Sequence, residues 1–112
     1  MANEYVLTKP ARADLKRIGQ YTAEKWGIDQ EKKYLTQLFE RFDALAENPH
    51  LGRERPEIKP GYRSIVEGRH VIFYRVRGAK VEILNVLHGQ MDLKRQLENP
   101  RRPRPRRGRG PE

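Results

Sequence analysis

The hydrophobic period of this chain changes once, and that change limits the folds open to it. Up to Asn48, apolar residues recur every three to four positions. From Tyr62 to His88 they crowd into three short runs rich in Val, Ile, Leu and aromatic residues. The first pattern belongs to amphipathic helices, the second to strands. Between them lie residues 49–61, PHLGRERPEIKPG, with three Pro and two Gly. Neither regular pattern runs through such a segment. Long irregular segments in small domains often carry function.

Before the break the chain reads as a strand and two helices. Tyr5-Val6-Leu7-Thr8 is short, β-prone and bounded. Thr8 can cap a following helix, with Pro10 in its first turn, where a missing N–H costs little. Ala11, Leu15, Ile18, Tyr21 or Thr22, and Trp26 form one helical face, and Gly27 is a natural stop. Asp29 is a good N-cap for a second helix. Tyr34, Leu35, Leu38, Phe39, Phe42, Leu45 and Ala46 give it a wide apolar stripe, ended by Asn48-Pro49. Joined by Gly27-Ile28-Asp29, the two helices form an antiparallel hairpin that needs a partner layer.

After the break, Tyr62–Glu67, His70–Arg77 and Lys80–His88 are strands, separated by the turns Gly68-Arg69 and Gly78-Ala79. They form an antiparallel meander. Met91 to Glu98 reads as one short helix. The order β-α-α-β-β-β is α+β, a small antiparallel sheet with the helix hairpin on one face. Both alternations of the central strands carry apolar side chains. Val71 and Phe73 oppose Ile72, Tyr74 and Val76; Val81, Ile83 and Leu87 oppose Leu84 and Val86. One helix layer covers one face. The second face is expected to be covered by the C-terminal helix, by a partner protein, or by the chain's own loops.

Charge divides the 112 residues in two. The end, PRRPRPRRGRGPE, holds six Arg and one Glu, a net +5 of the chain's +9. Without apolar residues it cannot offset the entropy of ordering itself. Residues 1–98 are therefore expected to be the folded unit and 99–112 a disordered tail. Arg101, Arg102, Arg104, Arg106, Arg107 and Arg109 could bind phosphates without sequence preference; the alternative is a solvated appendage. The absence of cysteine excludes disulfides, thiolate zinc sites and cysteine nucleophiles. No apolar run nears the ~20 residues needed to span a bilayer, and the N-terminus lacks a secretory signal. A cytoplasmic protein is expected.

Little chemistry is visible. There is no phosphate-binding Gly loop, and His50, His70 and His88 share no metal-ligand spacing. No metal or cofactor is expected. One constellation survives. Lys59, Arg63, Arg69 and Arg75 lie on or beside the sheet, and His88 ends its last strand. Basic groups beside a general acid would suit RNA phosphodiester cleavage. The plainer reading pairs Arg63 and Arg75 with Glu82, Glu67 or the acidic loop, and gives His88 a strand-end hydrogen bond.

The segments Asn48-Pro49-His50-Leu51-Gly52-Arg53, Gly61-Tyr62-Arg63-Ser64, His70-Val71-Ile72-Phe73-Tyr74-Arg75-Val76 and Ile83 through Asp92, with Thr8 through Leu15 and Tyr21 through Gly27, occur in this order and at these separations. Together they resemble the ParE branch of the RelE/ParE toxin superfamily over residues 3–95. The resemblance implies a toxin of a bacterial type II toxin–antitoxin module, of the kind associated with plasmid stabilisation, and a RelE/ParE-like fold. It implies a target, DNA gyrase, and no catalytic residues of the chain's own. It also implies a cognate acidic, ParD-like antitoxin that binds the toxin directly, with DNA reached only through the antitoxin. Leu84, Val86, Tyr74 and Trp26 are the expected antitoxin contacts. The alternative within the superfamily is a RelE-like ribosome-dependent mRNA endoribonuclease. Lys59, Arg63, Arg75 and His88 would then be its catalytic set, although Gly89 stands where that branch carries a terminal Tyr. A third reading is a nucleic-acid-binding module driven by the Arg tail.

Overall fold

A computed structural model of the chain describes residues 4–89. The elements are β1 (Glu4–Leu7), α1 (Lys9–Trp26), α2 (Ile28–Glu47), β2 (Arg53–Glu54), β3 (Arg63–Glu67), β4 (His70–Arg77) and β5 (Lys80–His88). The fold is α+β, as the change of period predicts. Met91–Glu98 and the Arg/Pro tail lie outside the described residues.

Thr8 caps α1 as expected: its hydroxyl accepts the Ala11 N–H at 3.2 Å. Asp29 does not cap α2. Gly27, at φ 98°, serves as the cap of both helices, and Asp29 falls in the first turn of α2, where its charge favours the helix dipole. A two-helix junction this tight leaves no room for a separate cap.

The sheet order is β1-β5-β4-β3-β2. β3, β4 and β5 form the expected meander, and β1 joins its far edge parallel to β5. β2, two residues within the irregular 49–61 segment, pairs with β3. It is too short to carry a period that a sequence could reveal.

The main core lies between the sheet and the hairpin. Ala11, Leu15, Ile18, Leu38, Phe42 and Leu45 pack against Ile72, Tyr74, Val81, Ile83 and Val86. Each large side chain so buried contributes about 1.5–3 kcal/mol. Trp26 and Tyr21 continue the stripe of α1 in sequence but stay more than half exposed, while Thr22 is buried.

Two assignments of strand faces are corrected. Tyr74 pairs with Ile83, whereas Phe73 pairs with Asn85, so Leu84 is a bulged extra residue. Beyond the bulge the alternation of β5 inverts. Val86 therefore joins Val81 and Ile83 in the main core, and Leu87 joins Val71 and Phe73 on the opposite face. Val76 belongs to neither cluster and is exposed near the turn. The second face carries its own cover: Ile58 packs on Val71, Phe73 and Leu87, and the Arg55 guanidinium sits 5.5 Å over the Phe73 ring. Both come from the irregular segment.

Candidate functional site

The segment 48–53 is held by one phenol. Tyr74 is fully buried, donates to the Pro49 carbonyl at 2.7 Å and accepts the Gly52 N–H at 2.8 Å. Burial raises its pKa, against the lowering effect of the Gly52 N–H. A Cβ on Gly52 would lie 2.5 Å from the Tyr74 hydroxyl and 2.7 Å from the Ser64 carbonyl. Only glycine fits. Arg63 completes the clasp by donating to the Gly52 carbonyl at 2.7 Å.

The basic residues do not converge. Arg63 serves the Gly52 carbonyl and lies 3.5 Å from Glu54. Arg75 donates to Glu82 at 2.6 Å. Lys59 is exposed in the irregular segment. His88 pairs with His70, five residues from Arg75 along β4, roughly 16 Å at strand rise.

Of the expected antitoxin contacts, Tyr74 and Val86 are in the core and offer no side-chain surface. The reason is the bulge and the clasp, neither of which alternation reveals. Leu84 is half-buried at the bulge, and Trp26 is 58% exposed at the end of α1.

Trp26 stands on the rim of a cleft of about 480 Å³, lined also by Tyr21, Tyr34, Arg69, His70 and His88. A second cleft of about 470 Å³ shares Tyr21, His70 and His88. In the first cleft the Tyr34 hydroxyl lies 2.6 Å from Nδ1 of His70 and accepts the Arg69 N–H at 3.0 Å. Gly68 makes this contact, since a Cβ there would sit 2.6 Å from the Tyr34 ring. Burial, with the neighbouring His88 next in effect, pulls His70 down from 6.5 to about 4. Burial raises the Tyr34 phenol. At neutral pH the site therefore presents a neutral imidazole and a neutral phenol. The sequence reading missed Tyr34 and His70. Tyr34 was legible only as part of the apolar stripe of α2, and the β4–β5 register, shifted by one at the bulge, bears on the His70–His88 pairing alone.

Among the described residues no group of three or more His, Asp or Glu side chains is placed to hold a metal ion. Nor is any of their helices long and apolar enough to cross a membrane.

Comparison with known proteins agrees with this geometry. The family described as ParE toxin of type II toxin-antitoxin system, parDE, matches residues 5–93. Toxin ParE1 of Mycobacterium tuberculosis is 42% identical over 98 residues, covering 87% of this chain and all of that protein. Toxin ParE1 of Caulobacter vibrioides is 39% identical over 93 residues, 83% of this chain and 96% of the relative. A solved structure described as the chromosomal ParDE TA system from P. aeruginosa superposes with a TM-score of 0.67, at 24% identity, over 79% of this chain and 96% of its own. The two-helix hairpin on a five-stranded sheet and the family match across nearly all described residues lead to one assignment: the chain belongs to the ParE toxins of type II toxin–antitoxin systems.

Proposed function

We propose that this toxin acts in the cytoplasm by binding DNA gyrase rather than by cutting RNA, and that a ParD-like antitoxin neutralises it by direct contact. The dispersal of Lys59, Arg63, Arg75 and His88 supports the first part. Arg63 and Arg75 are spent on a carbonyl and on carboxylates, and His88 pairs with His70, five residues from Arg75 along β4. A protein so built works through its surface.

For the antitoxin, the supporting observation is where the accessible candidates sit. Leu84 adjoins Thr8, whose hydroxyl lies 3.0 Å from the Leu84 carbonyl, while Trp26 ends α1. These points are separated by the length of α1, roughly 25 Å. One compact contact cannot cover both, whereas an extended or helical segment can. The net positive charge of the chain favours an acidic segment.

Expression of the chain alone in a bacterium carrying a DNA-damage reporter tests both parts. Growth arrest with reporter induction, relieved by the co-expressed antitoxin, is the expected result. Arrest without induction, accompanied by cleaved transcripts, would replace gyrase by the ribosome.

A further inference from the structure

The bulge at Leu84 has a chemical product. It brings His70 and His88 directly opposite each other on neighbouring antiparallel strands. Directly opposed residues have Cβ atoms about 4.5–5.5 Å apart, so both side chains can reach one point. The two ring centroids are 5.6 Å apart. An ion about 2.0–2.1 Å from one nitrogen of each ring would set the centroids roughly 5–6 Å apart. Both rings line both clefts, so water and ions reach them.

We propose that His70 and His88 together bind a divalent late-transition-metal ion, of the Zn²⁺, Ni²⁺ or Cu²⁺ class. Imidazole nitrogens suit these ions and reject Mg²⁺ and Ca²⁺. Tyr34 supplies the support such a ligand needs. Its hydroxyl engages Nδ1 of His70, which leaves Nε2 as the coordinating atom and fixes the ring. Tyr34 is itself held by the Arg69 N–H. Among the described residues no third His, Asp or Glu joins the pair. Its consequence is mechanical: a bound ion ties the start of β4 to the end of β5, and stabilises the folded chain by linkage.

The test uses the full chain. ZnCl2 is added while the ring resonances of the three histidines are followed by NMR. Those of His70 and His88 shift together and saturate, while those of His50 stay in place. Calorimetry then shows binding weakened at least tenfold in His88→Gln and about tenfold in Tyr34→Phe, and unchanged in His50→Gln. CuCl2 quenches the chain's one tryptophan, Trp26, which borders the same cleft, and His88→Gln removes that quenching. The proposal fails if millimolar ZnCl2 produces no saturable shift, if all three histidines shift alike, or if His88→Gln binds as the parent does. Should a variant fail to fold, the resonances of the unaltered chain decide.

Discussion

The backbone N–H of Val86 donates to Oδ2 of Asp14 at 2.8 Å, across 72 positions of chain. The pairing of β1 with β5 ends at Leu7 and Ile83, so a strand N–H beyond that point needs another acceptor. Asp14, buried on α1, supplies it. At the bulge itself Thr8 plays the opposite part, its hydroxyl a donor 3.0 Å from the Ile83 and Leu84 carbonyl oxygens. The first helix thus sets the register of the last strand. In Asp14→Ala the Val86 N–H is left buried without its acceptor, at a cost of about 1–3 kcal/mol. Asp14→Asn keeps an acceptor and costs less. Urea unfolding of the two variants measures the difference.

Tyr74 and Gly52 make a second lock, between the sheet and the irregular segment. Tyr74→Phe removes both partners of its hydroxyl, and a loss of about 1–3 kcal/mol is expected. Gly52→Ala forces the ring or the β3 backbone aside and destabilises the chain as well. Because both act on one contact, the double variant loses less than the two single losses combined. A double-mutant cycle in urea checks this.

His70 makes stability depend on pH. Its folded pKa, about 4, lies below the ordinary 6.5, so the unfolded chain takes up this proton first. The contribution is fully present above pH 6.5 and is lost as pH falls from 6.5 towards 4. In His70→Gln that part of the decline is absent. Thermal melts in a metal chelator between pH 7.5 and 4 separate the two chains.

Trp26 is exposed and adds little to the fold. Trp26→Ala is expected to change unfolding free energy by less than about 0.5 kcal/mol. If it is an anchor for the antitoxin, the same change weakens the complex by about 2 kcal/mol or more, roughly thirtyfold. Calorimetric titration with the antitoxin reads the second effect, and urea unfolding the first.

Much of the fold could be read from periodicity, because both helices and all three long strands bury one continuous set of apolar residues. What escaped was decided by single residues. Without a bulge, a hairpin turning at Gly78-Ala79 and pairing Arg77 with Lys80 would face His70 to Leu87. Leu84 shifts that by one, which buries Val86, turns Leu87 to the second face and joins the two histidines. Tyr74 looked like a surface aromatic because its partners, Pro49 and Gly52, lie 22 to 25 positions away in a segment without regular structure. For Arg63 and Arg75 the plainer reading found the partners, Glu54 of the acidic loop and Glu82; the Gly52 carbonyl that Arg63 also serves could not be read, because a backbone acceptor leaves no mark in sequence.

The central claim is that this ParE toxin poisons gyrase through its surface and without a catalytic centre on the sheet. Plasmid supercoiling by purified gyrase and ATP, with increasing amounts of toxin, tests it most directly. Linear plasmid should accumulate with dose, disappear when the antitoxin is added, and persist with Arg75→Ala and His88→Ala toxins. Undisturbed supercoiling at concentrations that arrest growth, together with harmless His88→Ala toxin in cells, would contradict the account.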